Sequence, residues 1–159
     1  MKRVLCYLIV LIIALIACYL PFYNADRNIP FEVMKAKAQA LVMEKEFKVQ
    51  DKKYIRRQYQ LSESDYQNII CYGPISAMEV NELVVVEAKD DAQKQHIRSQ
   101  LKKHLDQQLE SFQGYAPRQA DLLQKAQLYE IGAYVILIVS EDEDALRQEL
   151  DALFQKGGW

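Results

Sequence analysis

Four basic side chains interleaved with tyrosines form the densest group in the sequence that could bind an anion. Lys52, Lys53, Arg56 and Arg57 occur in the segment DKKYIRRQYQ at residues 51–60. Lysine and arginine bind phosphate and carboxylate groups, and tyrosine rings can stack against a ligand. A short helix with a solvated basic face and inward-packed tyrosines would show the same pattern. The segment therefore predicts either a patch that binds an anionic polymer or lipid headgroup, or such a solvated helix face.

A second candidate surface lies in the segment FQGYAPRQ, residues 112–119. Gly114 and Pro117 are typical of a corner between two helices. Tyr115 and Gln119 each combine an apolar body with a polar tip, so they are the side chains best suited to contact a partner. A structural corner whose aromatic rings pack over the edge of a sheet is the alternative interpretation.

Histidine and cysteine give no further site in this sequence. His96 and His104 are eight residues apart, which is about 12 Å along a helix and too far to share a metal ion. We expect both to be surface or partly buried residues. Cys71 lies in the apolar stretch IICY and is predicted to be buried on a strand rather than reactive. The sequence also lacks a nucleophile elbow, a glycine-rich phosphate loop and a CxxC pair, so we assign no catalytic residue, metal or cofactor.

The charge of the chain is close to balanced. It has 20 lysines and arginines against 22 aspartates and glutamates, a formal net charge of -2. Such a balance gives no general electrostatic attraction to nucleic acid, so we do not predict a nucleic-acid partner.

An uncharged apolar run at residues 4–23 follows Lys2 and Arg3. Some 20 helical residues span roughly 30 Å, the hydrocarbon thickness of a bilayer. The basic residues before the run place the N-terminus in the cytoplasm and the following domain outside. The run is either a retained transmembrane helix or a lipoprotein signal in which Cys18 of the LIAC segment is lipidated. The predicted organisation is an anchor or signal at 1–23, a linker at 24–30, one domain at 31–156 and a tail at 157–159.

The domain alternates between helical and extended patterns. Helices are predicted at 30–47, 51–60, 91–113 and 117–126, with a last helix capped by Ser140 and Glu143, and strands at 67–73, 81–89, 127–131 and 134–140. The β-branched run at residues 83–86, LVVV, is predicted to be covered on both faces. Hairpins followed by helices predict an α+β domain, with a mostly antiparallel sheet of about four strands and helices packed on one face.

Three segments resemble the family called domain of unknown function 4358. They are residues 112–119 followed by the hairpin GAYVILIVS at 132–140, residues 61–72, and MEVNEL at 78–83. Together they extend the resemblance over about residues 31–155. The family consists of small lipoproteins or single-span proteins of Gram-positive bacteria, so the resemblance implies an anchored domain and brings no activity with it.

The sequence is compatible with two classes of function. The first is a non-catalytic module on the outer face of the membrane that binds an envelope protein or an anionic polymer. The second is an accessory hydrolase acting on envelope material. A cleft that contains a carboxylate with a raised pKa would favour the hydrolase, and a smooth domain with a basic or apolar patch would favour the module.

Overall fold

The structure, a computed structural model, describes residues 29–43, 45 and 47–155. The predicted anchor at 4–23, Cys18 within it, and the tail at 157–159 lie outside the described residues. The elements, in chain order, are α1 (Phe31–Val42), β1 (Lys48–Val49), α2 (Lys52–Tyr59), β2 (Asn68–Gly73), β3 (Glu82–Glu87), α3 (Asp91–Phe112), α4 (Pro117–Lys125), β4 (Gln127–Ile131), β5 (Tyr134–Val139) and α5 (Glu143–Gln155).

The described strands form one antiparallel sheet in the order β1-β2-β3-β5-β4. Strand β3 is central, and its register pairs Glu82 with Val139 and Glu87 with Tyr134 of β5. The α+β class and the antiparallel sheet are therefore confirmed, with one more strand than predicted.

The helices lie on both faces of this sheet. Val84 and Val86 point into a core shared with α2, α3 and α4, whereas Leu83 and Val85 point into a second core shared with α1 and α5. The prediction that helices pack on one face was therefore wrong. The prediction that residues 83–86 are covered on both faces was right, since every residue of β3 is buried. An uninterrupted apolar strand needs apolar partners on each side.

The first helix is shorter than predicted, and the chain after it contributes the additional strand. Helix α1 ends at Val42, and Lys48 and Val49 pair with Gly73 and Tyr72 at the edge of the sheet. The apolar residues up to residue 47 therefore do not continue the helix. This short edge strand, which the sequence analysis missed, leads directly into α2 and fixes where that helix begins.

Two aspartates cap the helices that matter for the site. Oδ1 of Asp51 accepts a hydrogen bond from the Tyr54 backbone amide at the start of α2. Oδ1 of Asp90 accepts one from the Gln93 amide at the start of α3, as the sequence predicted. None of the described helices has the length and apolar character needed to span a bilayer.

Candidate functional site: a basic pocket above a buried polar network

An open pocket of about 570 Å³ lies between α2 and the loop at residues 74–79. Its walls come from four parts of the chain: strand β1 with the two residues after it, helix α2, the 74–79 loop, and one residue of α3. We call it the basic pocket. Its lining residues are Lys48, Val49, Gln50, Asp51, Lys53, Tyr54, Arg57, Gln58, Pro74, Ile75, Ser76, Ala77, Glu79 and Gln108.

The structure divides the predicted basic patch into two pairs. Lys53 and Arg57 line the basic pocket, whereas Lys52 and Arg56 do not. Members of each pair are four residues apart and therefore share a side of the helix. Nζ of Lys52 lies 2.7 Å from Oε2 of Glu63. Lys53 and Arg57 thus face the basic pocket, and Lys52 is paired with Glu63.

The cations and carboxylates that line the basic pocket have different surroundings. Oδ1 of Asp51 caps α2, and Oε2 of Glu79 accepts the backbone amides of Ile75 and Ser76 at 3.2 and 3.4 Å. Lys48, Lys53 and Arg57 make no ion pair within the described part of the chain. The carboxylates therefore help to build the walls, and the cations are available to a ligand.

Apolar side chains accompany these cations. Val49 is 64% exposed and Ile75 is 59% exposed, so both present apolar surface at the pocket. Tyr54 is half-buried, and the guanidinium carbon of Arg57 lies 5.8 Å from the centre of its ring. The basic pocket therefore offers both positive charge and apolar contact area.

A buried polar network lies next to this region. Oη of Tyr59 donates a hydrogen bond to Oε2 of Glu82 at 2.6 Å, and Nε2 of His104 lies 3.0 Å from Oε1 of the same carboxylate. Sγ of Cys71 is 3.3 Å from the Tyr59 hydroxyl. We call these four residues the Glu82 network. Each is at most 4% exposed, so the network is closed to solvent.

His104 is more deeply buried than the sequence predicted. It was predicted to be a surface or partly buried residue, but it is 4% exposed and lies in the interior. His96, on the same helix, is exposed. The local spacing contained a signal, because His104 follows Ile97 by seven residues and Leu101 by three, which places it on the apolar stripe of α3.

Burial and hydrogen bonding shift the pKa values of His104 and Cys71. Burial lowers the pKa of His104, but the charge of Glu82, the hydrogen bond to it and a hydrogen bond with the Gln58 backbone outweigh this, so that its pKa is raised above 6.5. Burial also raises the pKa of Cys71 to about 12. The first shift favours the charged form of the imidazole beside Glu82, and the second favours the neutral thiol. Cys71 is buried on β2, as predicted.

Two aromatic contacts connect the network to the basic pocket. The rings of Tyr54 and Tyr59 meet edge to face with centroids 6.2 Å apart, and the Tyr59 ring lies 4.6 Å from the ring of His104. Since Tyr54 and Tyr59 both belong to α2, the network fixes the helix that carries Lys53 and Arg57. The contacts of Tyr59 with Glu82 and Cys71 join that helix to β3 and β2.

The two residues of the second predicted surface, Tyr115 and Gln119, have different surroundings in the structure. Tyr115 is 63% exposed and its ring is stacked on Phe112 at 5.6 Å. Nε2 of Gln119 donates a hydrogen bond to the backbone carbonyl of Met78 at 3.2 Å. Gln119 therefore ties α4 to the loop that precedes β3, and Tyr115 keeps an exposed face available.

The part of the chain that the structure describes holds no group of three or more histidine, cysteine or acidic side chains arranged to bind a metal ion. Glu82 is instead hydrogen-bonded directly to His104 and Tyr59, and Tyr59 contacts Cys71.

Comparison with known proteins agrees with the resemblance seen in the sequence. The profile of the family described as Domain of unknown function (DUF4358) matches residues 39–140, which is more than half of the chain and includes every strand of the sheet. Neither curated proteins nor solved structures gave a match. On the strength of the family profile, the chain belongs to the DUF4358 family.

Proposed function

We propose that this protein is a membrane-anchored, extracytoplasmic binding module of the cell envelope, and that it holds an anionic ligand in the basic pocket. One observation carries the proposal. Three cations, Lys48, Lys53 and Arg57, line a single open pocket whose carboxylates accept hydrogen bonds from backbone amides. An anionic ligand would complete this arrangement, because its charge would meet cations that the described protein leaves unpaired.

The proposed location follows from the first residues of the sequence. The apolar run at 4–23 is long enough to anchor the chain, and Lys2 and Arg3 favour a cytoplasmic N-terminus. Anchoring by a retained helix and anchoring through a lipid on Cys18 both put the domain on the outer face. The ligand is then a component of the envelope.

The geometry favours binding over hydrolysis. A hydrolase needs a carboxylate or nucleophile that can reach its substrate. In the basic pocket, Asp51 and Glu79 are engaged by backbone amides, and Glu82 lies in the closed interior. The alternative of an accessory envelope hydrolase therefore has less support than a binding module.

The basic pocket also takes precedence over Tyr115 and Gln119 as the binding surface. Gln119 already donates a hydrogen bond to the Met78 carbonyl within the protein, and the ring of Tyr115 is stacked on Phe112. A protein partner that docks on Tyr115 would be a separate contact from the one proposed.

A cosedimentation experiment with isolated bacterial envelopes tests the proposal. The full-length protein in mild detergent would be compared with the K53Q/R57Q and K52Q/R56Q variants. Both variants remove two charges from α2, but the second removes the pair that does not line the pocket. We expect the wild type and K52Q/R56Q to sediment with the envelopes and K53Q/R57Q to remain largely in solution.

Equal binding by both variants would contradict the proposed location of the site. Absence of binding by the wild type, under conditions where the protein is folded by circular dichroism, would contradict an anionic envelope ligand altogether. Release of shortened products from the envelope material by the wild type would support the hydrolase instead.

A further inference from the structure

We infer that the ligand of the basic pocket is a phosphodiester polymer of the envelope, held at the end of the domain that faces away from the anchoring membrane. This inference rests on the proposed function and specifies its ligand. It depends on where the chain enters the domain, where the pocket opens, and how the cations are spaced.

The chain enters the domain at one end of the central strands. The Tyr134 hydroxyl donates a 2.5 Å hydrogen bond to the backbone carbonyl of Ile29, and both residues are buried. Tyr134 is the first residue of β5 and pairs with Glu87, the last residue of β3. The first described residues are thus fixed to the Glu87 end of the sheet.

The basic pocket opens at the opposite end. Its 74–79 loop leaves β2 after Gly73 and the chain returns to the sheet at Glu82, the first residue of β3. Glu82 pairs with Val139, at the far end of β5 from Tyr134. Strands of this length separate their two ends by about 17 Å at the usual rise per residue.

A short connection joins the proposed anchor to Ile29. Residues 24–28 intervene, and five residues can span at most about 18 Å even when fully extended. If residues 4–23 stay in the bilayer as a helix, the Glu87 end of the sheet is close to the membrane and the basic pocket is on the far side; this placement therefore rests on the retained helix and not on a lipid at Cys18. This placement favours a ligand that extends beyond the membrane over the headgroups of the anchoring lipids.

The three cations of the pocket suit a ligand that carries more than one negative charge. Lys53 and Arg57 are four residues apart, about 6 Å along the helix axis, and Lys48 contributes a third charge from β1. A guanidinium group can hold two phosphate oxygens at once, and a lysine supplies a point charge. Val49 and Ile75 can contact the uncharged carbon linkers between successive phosphates. Because the pocket is open, a ligand longer than the pocket can extend out of it.

The test uses the full-length protein in nanodiscs of neutral phosphatidylcholine, with synthetic polyglycerol phosphate of defined length as the probe. We expect K53Q/R57Q to bind this polymer at least about tenfold more weakly than the wild type, since two charged contacts are lost. K52Q/R56Q should stay within about twofold of the wild type, because its charges are outside the pocket. Polyglutamate of matched charge and vesicles of phosphatidylglycerol serve as competing probes.

Two outcomes would overturn the inference. One is binding of phosphatidylglycerol vesicles as tightly as the polymer, which would indicate a lipid headgroup. The other is equal affinity for polyglutamate, which would indicate a general polyanion site.

Envelopes treated with hydrofluoric acid, which cleaves phosphodiesters, separate the inference from the proposed function. Binding to untreated envelopes but not to treated ones supports both. Equal binding to both preparations overturns the phosphodiester inference and leaves the binding module standing. Binding to neither overturns both.

Discussion

Nε2 of His104 lies 3.0 Å from Oε1 of Glu82 in the interior of the domain, and neither side chain is more than 5% exposed. The pair joins α3 to the first residue of the central strand, and Tyr59 of α2 donates to the second oxygen of the same carboxylate. Three elements thus meet at one buried charge. This carboxylate holds α2, and with it Lys53 and Arg57, at the edge of the basic pocket.

Removal of His104 should destabilise the domain strongly. H104A leaves the buried Glu82 carboxylate without its charged partner, which typically costs about 3–5 kcal/mol. The free energy of unfolding would be measured by urea denaturation. H96A, on the exposed side of the same helix, should change it by no more than about 0.5 kcal/mol. Similar losses in the two variants would show that the buried pair does not stabilise the fold.

The hydroxyl group of Tyr59 should also contribute to stability. Y59F keeps the buried ring but leaves Oε2 of Glu82 without its donor, and an unsatisfied buried acceptor costs about 1–3 kcal/mol. The matched control is Y115F, which removes a hydroxyl from an exposed ring. A Y59F protein as stable as Y115F would refute the hydrogen bond between Tyr59 and Glu82.

Stability should fall as the pH rises above about 6.5, the ordinary pKa of histidine. The pKa of His104 is raised in the folded state, so the folded protein binds the proton more tightly than the unfolded chain does. Its contribution is complete below the unfolded pKa of about 6.5 and is lost as the pH rises through the higher folded value. Urea denaturation of the wild type and H104Q at several pH values would measure this. A wild-type profile as flat as that of H104Q would contradict the assignment.

Cys71 should be unreactive in the folded protein. Its thiol is 1% exposed and burial raises its pKa to about 12, so neither access nor ionisation favours alkylation at pH 8. Iodoacetamide labelling would be followed by mass spectrometry of the peptide that contains Cys71, which distinguishes it from Cys6 and Cys18. We expect labelling in urea and very little without it. Rapid labelling of the native protein would contradict burial of this residue.

Local patterns predicted the elements well because each depends on nearby residues. The pairing of Asp90 with Gln93 marks the start of α3, and in the structure Asp90 accepts the Gln93 amide while the Gln93 side chain accepts the amide of Lys89, the residue before the cap. The apolar run at 83–86 predicted a strand buried on both faces, which was enough to place helices on both sides of the sheet. The prediction of a single helical layer did not use that information.

The site was harder to predict because its contacts are long-range. Lys48 reaches the basic pocket through an edge strand of two residues, too short to produce an alternating pattern. The partner of His104 is Glu82, 22 residues earlier in the chain, and Tyr59 is a further 23 residues before it. The sequence shows that residues 52–57 are rich in basic side chains. Which of them face a pocket depends on how α2 packs against the rest of the domain.

The salt dependence of polyglycerol phosphate binding tests the central claim most directly. Affinities of the wild type, K53Q/R57Q and K52Q/R56Q would be measured in neutral nanodiscs at several salt concentrations. Neutralising phosphates releases counterions, so affinity falls as salt rises, with a slope that reflects the number of ionic contacts. We predict a shallower slope and weaker binding for K53Q/R57Q, and wild-type behaviour for K52Q/R56Q. The same slope and affinity in both variants would contradict a ligand site in the basic pocket.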